Sequence, residues 1–361
     1  MSSLTVIADD QNIDATKRMT EVRYAASADF SGILQHLSCS LLVSTYQAGK
    51  VACLGVHENQ LQLSFLDFDR AMGLAVSQTQ IAVGTRRQIH FLHSAHDIAR
   101  RIEPVQSHDG CWAMRHSTYT GNIHGHDLAW GKSGLWIANT LFSCLCTLGE
   151  GSSFVPRWKP AFVSELIDQD RCHLNGLAME FGEPRYVTVL AESNEPGGWR
   201  ANKSESGCII DVASNVVLSR GLSMPHSPRV HQGNLYVLDS GNGALLLVDR
   251  STGATQTIDK VPGYTRGLAF AGQFAFVGLS KIRESNIFGG LPICEQADNL
   301  RCGVAVIDLI SGRTVATFQF HSGIEEIFAV EVIPGNCNPV TFGLLADADD
   351  DQPEVWIVPP L

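Results

Sequence analysis

The segment HDLAWGKSGLWIANTLFSCLCTL, from His126 to Leu148, contains the unit that recurs along the chain. It reads as an apolar strand, a tight turn at GKSG, a second strand that ends in small polar residues, and a third apolar strand. Six further copies carry the same pattern: GILQHLSCSLLVSTYQAGKVACLG from Gly32, MGLAVSQTQIAVGTRRQIHFL from Met72, NGLAMEFGEPRYVTVLAES from Asn175, HSPRVHQGNLYVLDSGNGALLLVD from His226, RGLAFAGQFAFVGLS from Arg266 and EIFAVEVIPGNCNPVTFGLLAD from Glu326. Repeated short strands without a long amphipathic helix predict an all-β fold.

The spacing within the unit is constant. The start of the first strand and a matching β-branched residue of the second lie ten residues apart in four copies: Gly73 and Val83, Asp127 and Ile137, Ser227 and Val237, Gly267 and Val277. Copies follow one another at intervals of about 40 to 60 residues, which is typical of four-stranded propeller blades. Seven copies therefore predict a β-propeller of seven blades. Six blades are the alternative, because GILQHLSC in the first copy is also compatible with a short helix.

The repeat extends over nearly the whole chain. We expect one propeller domain over residues 30–361, preceded by an N-terminal segment over residues 1–29. The last copy ends after its third strand at EVWIV (354–358), so its blade lacks an outer strand. A closed ring leaves no blade with a bare edge. We therefore expect EVRYAA, from Glu21 to Ala26, to supply the missing strand and close the ring.

Composition limits the classes of partner. The 361 residues carry a formal net charge of −11, and nucleic-acid binding needs a basic surface instead. No apolar run is long enough for a membrane span, and the N-terminal MSSLTVIADDQNIDATKR is acidic where a signal peptide is basic and then apolar. The sequence thus predicts a cytoplasmic protein without nucleic-acid or membrane partners. Its ten cysteines are expected to be mostly buried, reduced thiols.

The candidate site lies on one face of the ring. The loops that lead into the inner strands, here called lead-in loops, open beside the loops between second and third strands, and propeller function usually collects there. Just before the glycine position of each inner strand stand Met72, His126, Asn175, His226, Arg266 and Glu326. Two residues earlier stand Arg70, His124, His173, Met224, Tyr264 and Ile324. The facing loops add Ser44, Thr45, Tyr46, Asn139, Thr140, Glu192, Ser193, Asp239, Ser240, Lys281, Arg283 and Glu284.

The first interpretation is a metal-dependent enzyme, a lyase, hydrolase or oxygenase, that acts on a small anionic or peptide-like substrate. His126, His173 and His226 come from neighbouring blades and would bind one transition metal ion, either iron, copper or zinc. Glu326 would serve as a fourth ligand or general base. Arg266, with Lys281 or Arg283, would hold the substrate. Against this stands the ordinary role of such histidines, which is to hydrogen-bond to backbone.

Two further interpretations need no metal. In one, a histidine is the general base or acid of a lyase or hydrolase. One of three carboxylates, Asp127, Asp239 or Glu326, would orient it. The further catalytic candidates are the amide of Asn175 and the phenol of Tyr264. In the other, cationic side chains hold a carboxylate or phosphate. The substrate-binding candidates are Arg70, Arg229, Arg266, Lys281, Arg283 and Asn139.

A competing function from another class is a non-enzymatic propeller that binds a protein or peptide on the same face. Such a face would be flatter, with apolar and aromatic anchors at its centre. The sequence leaves this alternative, and the oligomeric state, open.

Several long motifs resemble one known family. At STYQAGK, HDLAW, NTLFSCL, CHLNGLA, GLSMPHSPR, LDSGNG, TRGLAF, VGLSKIRE and IEEIFAVEV the chain is similar to a bacterial family known only as a domain of unknown function. The similarity begins near Gly32 and implies no particular activity. More loosely, the chain is similar to seven-bladed carotenoid-cleaving oxygenases, which hold iron with four histidines, and to six-bladed lactonases and phosphotriesterases, which hold calcium with Asn, Asp and Glu. It matches neither set, because its fourth histidine would have to be His124 or His321 and the oxygen cage is incomplete.

Overall fold

The computed structural model describes residues 5–6, 21–282 and 288–343. These residues form a six-bladed β-propeller, and the predicted all-β class is confirmed. The four core strands of each blade, inner strand first, are Ala329–Pro334, Cys39–Thr45, Lys50–His57 and Gln60–Asp67 in blade 1; Leu74–Val76, Gln80–Gly84, Gln88–Ser94 and Gly110–Tyr119 in blade 2; Gly125–Gly131, Gly134–Asn139, Cys144–Thr147 and Val155–Trp158 in blade 3; Leu174–Glu180, Glu183–Val189, Gly207–Asp211 and Val216–Leu222 in blade 4; Pro225–His231, Asn234–Asp239, Ala244–Val248 and Thr255–Lys260 in blade 5; and Tyr264–Ala271, Phe274–Ser280, Cys302–Asp308 and Arg313–Phe320 in blade 6.

Six blades, the predicted alternative, are present, and the expectation of seven was wrong. The first and seventh copies of the repeat are two parts of blade 1. Its inner strand Ala329–Pro334 pairs antiparallel with Cys39–Thr45, so that strands from the two ends of the sequence share one sheet. The start of the first copy belongs to the helix Ala28–His36, whose Phe30 and Leu34 are completely buried. Sequence similarity counted these two partial blades separately.

Few helical segments interrupt the sheets. Besides Ala28–His36, the described residues include the short α-helix His96–Ala99 and the 3-10 segments Gly198–Arg200, Ser240–Asn242 and Pro292–Asn299. None of the helices within the described ranges has the length and apolar character needed to span a membrane. All ten cysteines are free, and eight of them are buried, as predicted.

The N-terminal strand is present but does not close the ring. Val22–Ala26 pairs with Arg313–Phe320, and Thr5–Val6 pairs with Val22–Ala26, so both extend the outer edge of blade 6, which already has four strands. The predicted strand EVWIV lies outside the described residues. Instead, Pro339–Phe342 adds a parallel strand to the outer edge of blade 2. Ring closure therefore depends on Ala329–Pro334.

Polar side chains form hydrogen bonds between each blade and the next near the channel, at the lead-in loops or inner strands. We call these contacts inter-blade clasps. Because a buried peptide group needs a partner, each clasp satisfies backbone at a point where two blades meet. Five clasps are Ser44 Oγ to Met72 O (2.5 Å), Thr140 Oγ1 to Leu174 O (2.5 Å), Asn175 Nδ2 to Pro225 O (3.0 Å), Gly267 N to Ser227 Oγ (3.1 Å) and Ile327 N to Ser280 Oγ (2.9 Å). Between blades 2 and 3, Trp130 Nε1 donates to Ala75 O at 3.2 Å.

The clasp at Ser44 is expected to stabilise ring closure. Its hydroxyl donates to Met72 O and accepts from Ala329 N at 3.0 Å, so Ser44→Ala leaves two buried backbone groups without a partner. We expect the free energy of unfolding in urea to fall by about 1–3 kcal/mol. Ser40→Ala is the matched control on the same strand, because no backbone group of the described residues forms a hydrogen bond with its buried hydroxyl. The control should change stability by less than about 0.5 kcal/mol. Equal losses in both variants would contradict the role assigned to Ser44.

Candidate functional site

The predicted grouping of loops is present. Lead-in loops meet the loops between second and third strands at one end of the channel, which we call the channel face. Thr140 Oγ1 lies 2.8 Å from His126 Nδ1, and Ser240 Oγ lies 3.0 Å from His226 Nδ1. Arg70 Nη1 donates to Tyr46 OH at 3.0 Å. The repeat alignment thus placed side chains from facing loops in contact.

Two of the predicted histidines are held in the same way. His126 Nδ1 lies 3.0 Å from the carbonyl oxygen of His124, and His226 Nδ1 lies 2.9 Å from that of Met224. His124 and Met224 have left-handed backbone conformations, with φ of 52° and 48°, and each stands two residues before its histidine. Since a carbonyl oxygen only accepts hydrogen bonds, both Nδ1 atoms carry the hydrogen. In the neutral ring, Nε2 is then an acceptor.

The third histidine is paired with a carboxylate. His173 Nδ1 lies 2.9 Å and 3.1 Å from the two oxygens of Asp170, and Trp199 Nε1 donates to the same carboxylate at 3.0 Å. The rings of Trp199 and His173 are 4.4 Å apart, and those of His173 and His126 are 4.8 Å apart. Asp170 therefore fixes both the orientation and the tautomer of His173.

A guanidinium completes the cluster. Arg266 stacks on Phe328, with its central carbon 3.4 Å from the ring centroid, and Phe328 also lies 5.3 Å from the His126 ring. The Arg266 side chain is 13% exposed, and its nearest approach to Glu326 is 3.7 Å. No described residue accepts a hydrogen bond from its guanidinium. We call His126, His173, His226 and Arg266 the channel-face cluster.

Charge and burial keep two of these imidazoles neutral. Burial lowers the pKa of His126 well below its ordinary value, and His173 and Arg266 add to the effect. Burial also lowers the pKa of His226 well below the ordinary value, with Arg266 and His173 contributing. Burial lowers the pKa of Arg266 as well, against the opposing influence of Glu326. At neutral pH the cluster thus presents one cation and two neutral rings.

Deeper in the channel lies an ion network of a different kind. Arg229 of blade 5 makes two hydrogen bonds with Asp127 of blade 3, at 2.8 Å and 3.1 Å, and its Nη2 lies 3.5 Å from Glu331 Oε1 of blade 1. Asp127 also accepts from the backbone of Leu128 and Leu177. Burial opposes the charge on Arg229, but Asp127 and Glu331 outweigh it and raise the pKa of the guanidinium. Asp127 and Arg229, predicted as catalytic and substrate-binding residues, are occupied with each other.

Other predicted residues hold loops and blades. Asn175 forms an inter-blade clasp and accepts from Thr188 Oγ1 at 2.7 Å. Asp239 accepts from Ser223 N and from Asn242 Nδ2, both at 2.6 Å. Asn139 Oδ1 accepts from Phe142 N at 3.1 Å. These three side chains are buried, and each has its bonds within the fold.

The remaining candidates lie around the cluster. The Tyr264 hydroxyl is buried, 3.5 Å from His226 Nδ1, and burial raises its pKa. Lys281 lies 3.7 Å from Glu325 at the surface, and Arg70 stacks on Tyr46. Arg283 lies outside the described residues. Within the described ranges, no group of three or more His, Cys, Asp or Glu side chains is arranged to hold a metal ion. The transition-metal site stays a prediction.

Three residues of this region escaped the sequence analysis. Asp170 stands three residues before His173, and that spacing next to a lead-in loop was an available signal. Phe328 lies in the lead-in loop of blade 1 and could have been found by extending the alignment. Glu331 had no signal of its own, because its partner Arg229 lies 102 residues away.

Two concave surfaces lie apart from the channel-face cluster. One, of about 490 Å³, is at the edge of blade 2 beside His96, Asp109 and Asn336. The other, of about 380 Å³, is on blade 4 between Glu192, Asn202 and Arg220. Neither includes a member of the channel-face cluster.

Residues 28–342 match the family described as "Domain of unknown function (DUF4915)". The chain belongs to this family. The DUF4915 match covers the four core strands of all six blades and every residue of the channel-face cluster. No curated protein matches the sequence.

Several solved structures are similar to this DUF4915 chain at low sequence identity. It is similar to a chain of a nidogen/laminin complex, with 13% identity and a TM-score of 0.54, over 83% of this chain and 100% of that chain. It is also similar to TolB from Acinetobacter baumannii, with 11% identity and a TM-score of 0.47, over 84% and 66% of the two chains. A protein of unknown function from Bacteroides caccae matches with 9% identity and a TM-score of 0.38, over 82% and 98%. At this identity, the likeness to the nidogen/laminin chain shows the fold alone.

The ion network should give the DUF4915 chain a stability that depends on pH. Burial raises the pKa of Glu331 from 4.5 to about 7, with Asp127 adding to the effect and Arg229 opposing it. The folded chain thus binds more protons than the unfolded chain between these values, so the free energy of unfolding falls as the pH rises through them. We expect Glu331→Gln to remove a loss of roughly 2–3 kcal/mol between pH 4.5 and pH 8, measured by urea unfolding.

Glu183→Gln is the control for this experiment, because Glu183 is exposed on blade 4. It should leave the pH dependence of stability as in the wild type. An unchanged slope in Glu331→Gln would show that Glu331 does not titrate in this range.

Proposed function

We propose that this DUF4915 protein is a metal-independent acid–base enzyme, a lyase or a hydrolase, that binds a small anion at the channel face. In this proposal Arg266 holds the anion and His173, oriented by Asp170, is the general base. His126 and His226 bind the substrate as neutral rings.

The observation that carries the proposal is the state of Arg266. Its guanidinium has five N–H donors, and no described residue accepts a hydrogen bond from it. The side chain is largely buried, and the nearest carboxylate among the described residues, that of Glu326, lies 3.7 Å away. A buried charge is costly unless it is paired and hydrogen-bonded. A carboxylate or phosphate group would accept two of these donors at once and form a charge-assisted pair.

Arg229 provides the internal comparison. Both guanidinium groups lie near the channel, but Arg229 has two carboxylates and two backbone carbonyls as partners. Its hydrogen-bonding capacity is used within the fold. That contrast supports assigning the anion to Arg266 and a structural role to Arg229.

The base is supported by the bond between Asp170 and His173. In the neutral ring, a carboxylate that accepts from Nδ1 leaves Nε2 as the proton acceptor, and it stabilises the imidazolium that forms when Nε2 takes a proton. In a hydrolysis, that proton would come from water as its oxygen attacks the substrate. In an elimination, it would come from the carbon next to the carboxylate. In either case His173 would return the proton to the leaving group.

The anion site can be tested without knowledge of the substrate. Malonate, succinate and inorganic phosphate at millimolar concentration should raise the melting temperature of the wild type, because they bind the folded state alone. Arg266→Gln should abolish the shift by removing the cation. Arg301→Gln is the matched control, since Arg301 is exposed on the same blade. Equal shifts in all three proteins, or none in the wild type, would overturn the anion site.

Catalysis is tested with malonate or succinate, whichever binds, by following the proton NMR signal of its methylene groups during incubation in D2O. We expect Asp170→Asn to reduce the rate of C–H exchange by about 10²-fold or more, because His173 loses the partner that fixes its tautomer. Asp168→Asn, in the same loop and exposed, should retain the wild-type rate.

The same assay distinguishes this mechanism from that of the metal-dependent enzyme predicted from the sequence. The free Nε2 atoms of the three histidines favour the metal-dependent enzyme. Elemental analysis of the active protein should give less than about 0.1 equivalent of iron, copper or zinc, and a chelator should leave the rate unchanged. About one equivalent of metal, lost together with activity in the His126→Asn, His173→Asn, His226→Asn triple variant, would establish the metal mechanism instead.

We also propose that the protein is located in the cytoplasm. Ten free thiols are typical of a reducing compartment, which supports the predicted cytoplasm. The substrate would then be a cytoplasmic small molecule. Fractionation of cells of the source organism, followed by immunodetection, would test this location.

A further inference from the structure

The hydrogen-bonding character of the channel-face cluster restricts the ligand further. In all three histidines, Nδ1 donates to a group that only accepts: the carbonyl oxygen of His124 or Met224, or the carboxylate of Asp170. Nε2 lies at the other end of each ring and has no hydrogen-bond partner among the described residues. Each ring is thus fixed so that its free nitrogen is the acceptor.

Two of these acceptors stay neutral because of their surroundings. His226 is buried, His126 is half-buried, and both lie within electrostatic reach of Arg266, which opposes a second positive charge. The same field acts on a ligand. An ammonium group placed beside these rings would be repelled by Arg266, whereas a neutral hydroxyl group would not. The cluster therefore combines one anion-binding cation with acceptors suited to hydroxyl donors.

We propose that the ligand is a hydroxycarboxylate, whose carboxylate binds Arg266 and whose hydroxyl groups donate to His126 Nε2 and His226 Nε2. This inference rests on the proposed anion site. It adds the hydroxyl groups of the ligand, which Arg266 does not bind. A deoxy anion offers these two acceptors no donor of its own, which weakens binding.

The experiment measures dissociation constants by calorimetry for two series of anions that differ in one substituent. Propionate, lactate and alanine form the first, and succinate, malate, tartrate and aspartate form the second. We expect lactate to bind about tenfold more tightly than propionate, and tartrate more tightly than malate and succinate. The amino analogues should bind no better than the deoxy anions.

Two variants assign the hydroxyl contacts. His126→Asn and His226→Asn keep an N–H near the position of Nδ1, and so preserve the bond to the backbone carbonyl while removing the acceptor at Nε2. Each should lose the preference for hydroxylated over deoxy anions but still bind propionate and succinate. His231→Asn is the control, because His231 ends the inner strand of blade 5 and is stacked on Phe270 of blade 6. Melting temperatures establish that every variant is folded.

The outcomes separate this inference from the proposed function. Equal affinity for hydroxylated and deoxy anions, with binding still lost in Arg266→Gln, would overturn the hydroxycarboxylate and keep the anion site. Tighter binding of alanine and aspartate would replace the hydroxyl by an ammonium group and likewise overturn it. If no anion of either series binds the wild type at 20 mM, on the order of the weakest measurable affinity, the anion site and this inference both fall.

Discussion

The pairing of Arg229 with Asp127 and Glu331 is the constraint on which the arrangement of this propeller depends. One guanidinium joins the inner strands of blades 5, 3 and 1, which are not neighbours in the ring. The inter-blade clasps act between adjacent blades, so the two sets of contacts fix the inner strands both around the ring and across it. Removing one partner of such a network leaves an uncompensated buried charge, which is strongly destabilising.

The fixed inner strands also position the channel-face cluster, because His126, His226 and Arg266 belong to these strands. His126 is next to Asp127, and His226 is three residues from Arg229, so the histidines leave the same strands that the ion network holds. Their Nδ1 atoms are bonded to backbone of their own lead-in loops. The described residues thus form two layers that differ in their balance of charge. The ion network, deeper in the channel, has two carboxylates for one guanidinium. At the channel face, one guanidinium has a single carboxylate, at 3.7 Å. That difference distinguishes the part that stabilises the fold from the part available to a ligand.

The sequence predicted features that depend on local repetition. The constant spacing within each unit identified the propeller, and the alignment of lead-in loops placed His126, His226 and Arg266 on one face. The blade count depends instead on a pairing between Ala329–Pro334 and Cys39–Thr45, about as far apart as the chain allows, and a repeat does not reveal which copies are partial. The roles of Asp127 and Arg229 could not be predicted from the sequence either, since the hydrogen bonds between these two side chains depend on the diameter of the ring. The tautomers of His126 and His226 depend on left-handed backbone conformations at His124 and Met224. Neither a histidine nor a methionine indicates such a conformation in a sequence.

The late position of Phe328 and Ala329–Pro334 in the chain links the site to biosynthesis. Arg266 stacks on Phe328, and the strand that follows closes blade 1 against Cys39–Thr45, which leaves the ribosome nearly 300 residues earlier. Until then, blade 1 has no inner strand and Arg266 has no aromatic platform. A polypeptide that ends before Phe328 would include His126, His173, His226 and Arg266 but lack the aromatic ring on which Arg266 stacks. The anion site proposed at Arg266 thus depends on a segment that is synthesised after the core strands of blades 2 to 6.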